Sequence, residues 1–122
     1  MILRRHLGAV ALLVYFPFAA WATELVMVEE QGCVWCARWN TEIAPAYPKT
    51  DEGQFAPLRR VDIRALPVEF KPTRRVSFTP TFLLVVDGAE VARIEGYPGE
   101  DFFWPLLEQM LAKHTDYKGE RG

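Results

Sequence analysis

The sequence predicts an α/β fold in which a central mixed β-sheet is flanked by helices. Three observations lead there. A short apolar run, Glu24-Leu25-Val26-Met27-Val28, leads through a polar stretch and Gly32 into Cys33-Val34-Trp35-Cys36 and a helix-compatible segment. Asp87-Gly88, a strong two-residue hairpin signal, separates two β-favouring runs. Near the end of the chain, apolar residues recur with the period of an amphipathic helix.

The elements follow in order. Glu24 to Val28 reads as the first, buried strand. Ala37-Arg38-Trp39-Asn40-Thr41-Glu42-Ile43 continues a helix opened at the cysteines, until Pro45 stops it. From Pro45 to Gly53 turn formers and charges are dense, which predicts a loop or a broken helix. Leu58-Arg59-Arg60-Val61-Asp62-Ile63 is the second strand. Between Arg64 and Arg75, Pro67 and Pro72 leave room for a short helical turn at most. Val76 to Val86 is a near-continuous β-favouring run suited to a strand buried on both faces, and Val91-Ala92-Arg93-Ile94-Glu95 is its hairpin return. Phe103, Leu106, Leu107, Met110 and Leu111 line one face of the last helix, which should begin near Asp101 or Phe102 so that Pro105 falls in its first turn.

The N-terminus reads as an address. Arg4, Arg5 and His6 precede an apolar run of 12 residues from Leu7 to Phe18, and Ala20-Trp21-Ala22 matches a small-x-small cleavage site. A membrane-spanning helix needs roughly 20 apolar residues, so residues 1–22 are expected to be a signal peptide and residues 23–122 one domain. Removing Arg4 and Arg5 leaves 12 basic against 16 acidic residues. That balance argues against a nucleic-acid surface. Export allows the cysteines to be oxidised, reduced or cycling, and keeping them reduced then needs a dedicated electron source.

Cys33 and Cys36 are the only two cysteines of the chain. A CxxC pair that opens a helix after a buried strand reads as a redox motif. Helix N-terminal N–H groups and the helix dipole favour a thiolate at the first cysteine. Cys33 is therefore expected to be the nucleophile, and Cys36, one turn later, to resolve the mixed disulfide. A structural staple is the plainer alternative. A loop this small restricts the unfolded chain by about 2 kcal/mol against about 3 for fifteen residues, so a staple would do better elsewhere. Zinc wants four ligands, whereas the mature chain has two cysteines and His114. Copper(I) needs fewer, but no methionine or histidine stands beside the motif. Ala37 in place of histidine excludes a c-type haem attachment. A second constellation is Phe78-Thr79-Pro80-Thr81-Phe82. Proline there wants a strand start or an edge; a cis Thr79–Pro80 bond facing an incoming peptide is the sharper possibility.

With these residues in hand, the mature chain resembles the thioredoxin superfamily along nearly all its length. The carriers are strand-Gly32-Cys33-Val34-Trp35-Cys36-helix, Val61-Asp62-Ile63, Thr79-Pro80-Thr81, Asp87-Gly88 and Gly96. The resemblance implies a thioredoxin-like fold in which Thr79-Pro80 is a cis-proline loop against the CxxC pair, with Gly96 beside the same groove. It also implies that Cys33 and Cys36 are catalytic, that no cofactor beyond their disulfide and no metal is used, and that substrate adds as an extended segment along Thr79. Trp35, Thr79, Pro80, Gly96 and Tyr97 are then the expected substrate-binding residues. Departures are visible. Met27 stands where many thioredoxins carry aspartate, the dipeptide is Val34-Trp35, and Gly32 replaces tryptophan. The usual buried base for the resolving cysteine is missing; Glu29 and Glu30 are the candidates to replace it, the plainer alternative being that each is a solvated strand-end charge.

More narrowly, Gly32 to Asn40 and Glu95 to Pro105 look like periplasmic thioredoxins of bacterial sulfur-oxidation (Sox) systems. Membership would imply a monomeric periplasmic thiol reductase that keeps an exported sulfur-carrier protein's cysteine active and is itself reduced by a membrane electron-transfer protein. Tyr97, Phe102 and Trp104 are the candidate apolar rim for that partner, the plainer alternative being that Phe103 and either Phe102 or Trp104 belong to the core. Two other readings stay open: an oxidant that donates its disulfide, and a non-catalytic binding module or copper chaperone.

Overall fold

The computed structural model describes Ile2 and residues 8–14, 23–67 and 69–119. The basic n-region, the end of the apolar run and the expected cleavage site at Ala20-Trp21-Ala22 lie outside those residues. The elements are β1 (Glu24–Glu29), α1 (Val34–Glu42), α2 (Asp51–Phe55), β2 (Leu58–Asp62), β3 (Thr81–Val86), β4 (Ala89–Glu95) and α3 (Glu100–His114), with 3₁₀ turns at Tyr47–Lys49 and Ile63–Ala65.

The strands form one mixed sheet in the order β2-β1-β3-β4. β1 runs parallel to β2, with Val28 opposite Val61, and antiparallel to β3, with Val28 opposite Thr81. β4 returns antiparallel to β3 through Asp87 and Gly88, both at positive φ, as a tight two-residue hairpin requires. Because side chains alternate across a strand, β1 feeds two cores. Leu25 and Met27 face α1 and α3, packing with Trp39, Phe82, Leu84, Phe103 and Leu107. Val26 and Val28 face the other way, with Leu83, Val85, Phe70 and Val76. Trp39 is the hub of the first core, its ring 5.2 Å from Phe82 and 5.8 Å from Phe103.

Four expectations need refinement. The stretch from Pro45 to Gly53 is a 3₁₀ turn followed by α2, which Thr50 caps by accepting the Gly53 N–H at 3.0 Å while its hydroxyl donates to the Tyr47 carbonyl at 2.7 Å. β3 starts at Thr81 rather than Val76. Thr81 turns its hydroxyl back onto the Phe78 carbonyl at 2.6 Å, and Pro80 has no N–H for a ladder, so the chain from 76 to 80 forms a loop. Val76 still buries its side chain in the second core, which is why the run reads as strand throughout. α3 begins at Glu100 and so places Pro105 beyond the first turn. The carbonyl left without that N–H belongs to exposed Asp101, where water can replace it. Leu106, expected on the buried face of α3, is exposed.

Candidate redox-active site

The sheet topology gathers the site at one end. β1 runs toward Cys33 at its C-terminal end, β3 starts there with Thr81 opposite Val28, and β4 finishes there with Glu95 opposite Thr81. The loops carrying Cys33, Pro80 and Gly96 therefore share one edge of the sheet.

Cys33 is the N-cap of α1, and its sulfur accepts the Cys36 N–H at 3.1 Å. The two cysteines form a disulfide, with their Cα atoms 5.2 Å apart. Their environments differ. Cys33 is partly exposed, whereas Cys36 is 3% exposed and belongs to the first core. Between them Val34 and Trp35 project outward, 75% and 52% exposed. The Thr79–Pro80 peptide bond is cis. Pro80 is buried, Thr79 half-buried and Phe78 exposed. The Gly96 N–H donates to the Pro80 carbonyl at 2.7 Å, so the end of β4 holds the proline loop.

Of the three aromatics expected at the rim, only Phe102 is exposed. Tyr97 is buried, its ring 6.1 Å from Phe103 and its hydroxyl donating to Glu42 Oε1 at 3.2 Å. Burial, and next the Glu42 carboxylate, push the Tyr97 hydroxyl up to about 12. Trp104 stacks on Tyr47 at 6.1 Å as part of the core. Tyr97 thus supports the site from behind, and the reason is its tie to α1, which links residues 55 positions apart.

Beside the disulfide lies a groove of about 430 Å³ lined by Cys33, Cys36, Asn40 and the ends of β1 and β2. Three carboxylates open onto it, from Glu29, Glu30 and Asp62, with the Arg60 guanidinium among them. Arg60 Nη1 bonds Glu29 Oε2 at 2.6 Å, lies 3.5 Å from the Met27 sulfur, and the guanidinium covers the Trp39 ring at 5.7 Å. The Arg64 backbone N–H and then its side chain hold the Asp62 carboxyl below the usual carboxylate range, which keeps it charged. Met27 and Glu29 share a face of β1, since side chains two apart along a strand point the same way. Glu29 therefore stands one step along the same face from Met27. Glu29 and Glu30 are visible from the sequence as candidates; Arg60 and Asp62 are not, because β2 residues join this groove only through parallel pairing with β1.

A solved structure matches this fold: the chain is 51% identical to the periplasmic thioredoxin SoxS from Paracoccus pantotrophus, crystallised in its reduced form, with a TM-score of 0.72. The match covers 75% of this chain and 97% of that one. The chain belongs to the thioredoxin superfamily. The narrower kinship, with the periplasmic thioredoxins of sulfur-oxidation systems, holds at that identity as well. No protein-family model and no curated protein matches the chain. A CxxC disulfide at the N-terminus of the first helix of a thioredoxin fold makes the protein a thiol–disulfide oxidoreductase. Among the described residues no helix is long and apolar enough to cross a membrane, and no group of three or more histidine, cysteine or acidic side chains is placed to hold a metal ion.

Proposed function

We propose that the protein works as a periplasmic reductant, exported by residues 1–22, that keeps the cysteines of a specific exported partner in their active thiol form. The groove supports this direction of electron flow. Its carboxylates stand beside Cys33 and Cys36, and its one cation, Arg60, is tied to Glu29. Negative groups disfavour a thiolate, opposing the stabilisation that the N-terminus of α1 offers. A strong oxidant is one whose reduced form is stabilised. Withholding that stabilisation makes the dithiol the better electron donor.

The chemistry is a two-electron exchange. The Cys33 thiolate attacks the partner's disulfide sulfur, forming a mixed disulfide as the partner's S–S bond breaks and its first thiol leaves. Cys36 then loses its proton, which we assign to Glu29, and attacks the Cys33 sulfur. The partner leaves as its second thiol, and the Cys33–Cys36 disulfide closes. Trp35, Thr79, Pro80 and Gly96 form the docking edge, where an extended partner segment lies along Thr79. The kinship with SoxS supports a sulfur-oxidation carrier protein as partner and a membrane electron-transfer protein as the source of electrons. The test is Cys36→Ser added to a periplasmic extract: a partner trapped through Cys33 and released by dithiothreitol is expected. Failure to recover any such adduct counts against the mechanism.

A further inference from the structure

Trp35, the side chain that the CxxC dipeptide exposes, does not stand alone. The Arg38 guanidinium lies 5.7 Å from the centre of its ring. Arg38 Nε donates to Glu42 Oε1 at 2.7 Å, one turn further along α1. A pair of this kind on an exposed helix face holds a long side chain weakly, because both partners must be ordered in water. Here a third group intervenes. The same Glu42 oxygen accepts the Tyr97 hydroxyl at 3.2 Å, and Tyr97 is buried, with its ring fixed against Phe103. Tyr97 is also the next residue after Gly96, whose N–H holds the Pro80 carbonyl. One dipeptide therefore braces the proline loop through its backbone and α1 through its side chain.

We propose that Tyr97 is a positioning residue which, through Glu42, holds Arg38 on the face of Trp35 and so presents a preset indole to a protein partner. Large aromatic side chains anchor protein interfaces, and ordering them before contact removes part of the cost of binding. Cation–π contact with Arg38 restricts the ring while leaving its other face free. The role rests on the oxidoreductase reading of the site, but the position of the indole exists without it.

The test uses the mature chain with insulin as the protein disulfide, and it reads the indole N–H resonance of Trp35, assigned by its loss in Trp35→Phe. Tyr97→Phe removes only the hydroxyl and keeps the ring. It is expected to shift the Trp35 resonance and to raise KM for insulin roughly 3- to 10-fold, the weight of one hydrogen bond, with kcat changed by less than ~2-fold. Glu42→Leu should do the same, and the double variant should be no worse than either, since both break one chain of contacts. An unmoved Trp35 resonance in Tyr97→Phe, or additive effects of the two substitutions, would overturn the proposal. The resonance is read without substrate, so a wild-type protein whose Cys33–Cys36 pair does not cycle in dithiol buffers would sink the oxidoreductase reading while the resonance still decides the positioning.

Discussion

The backbone N–H of Gly96 and the carbonyl of Pro80, 2.7 Å apart, tie the end of β4 to the loop that enters β3. Gly96 makes that bond at φ +82, a conformation that costs a side-chain-bearing residue about 1–2 kcal/mol. No atom lies within 4 Å of where its Cβ would stand, so the cost of a substitution there is conformational rather than steric. Gly96→Ala is expected to lower stability by about that amount and the thermal midpoint by several degrees. Chemical denaturation should show a lower midpoint at an unchanged slope.

We assign the Cys36 proton to Glu29, which lines the same groove, and Glu29→Gln separates that role from a structural one. Removing the charge should slow the step that resolves the mixed disulfide by about 100-fold, the low end for a proton-transfer group, since an open groove lets water substitute in part. Stability should change little, because the Glu29–Arg60 pair is partly exposed and such pairs are worth about 0–1 kcal/mol. Stopped-flow tryptophan fluorescence follows the step. An unchanged rate assigns the proton elsewhere.

Glu90 and Arg93 form an ion pair whose side chains are 3% and 4% exposed. Glu90 also accepts from the Thr73 N–H at 3.2 Å and from the Thr73 hydroxyl, and Arg93 donates to the carbonyls of Arg74 at 2.9 Å and Arg75 at 3.2 Å. The pair clamps the segment leading to Phe78 and Pro80 onto β4. Glu90→Ala would leave the buried Arg93 charge only the Glu95 carboxylate at 3.5 Å, a loss toward the low end of about 3–5 kcal/mol. Hydrogen exchange should quicken first at the Thr73 amide.

Alkaline pH tests the buried tyrosines. Burial, and secondarily nearby carboxylates, push the hydroxyls of Tyr97 and Tyr117 up to about 12, and Tyr47 shifts in the same direction. The folded state therefore keeps protons that the unfolded chain releases near pH 10. Stability from these groups should be intact below about pH 10 and lost as pH rises toward 12. Urea midpoints at successive pH values, read with tyrosinate absorbance, check the sign.

What the sequence makes legible is what acts over a few residues. The strand-CxxC-helix unit, the Asp87-Gly88 hairpin and α3 each announce themselves through spacing or turn chemistry. Val76 to Val86 misleads because loop residues that fill a core look like strand residues: Val76 is buried without belonging to β3. At the site, the two cysteines are plain from the sequence. Arg60 reaching Glu29, 31 positions away, and Tyr97 reaching Glu42, 55 away, are not. Arginine and glutamate are common on strand ends and helix faces, and only the sheet register and the packing of β4 beside α1 bring these pairs together.

The central claim, that this CxxC pair gives electrons, is tested most directly by the reduction potential of Cys33–Cys36 in defined thiol buffers. A value of about -230 to -270 mV, among the reductant-type proteins, is expected. A value near -120 mV, that of a strong oxidant, would contradict it.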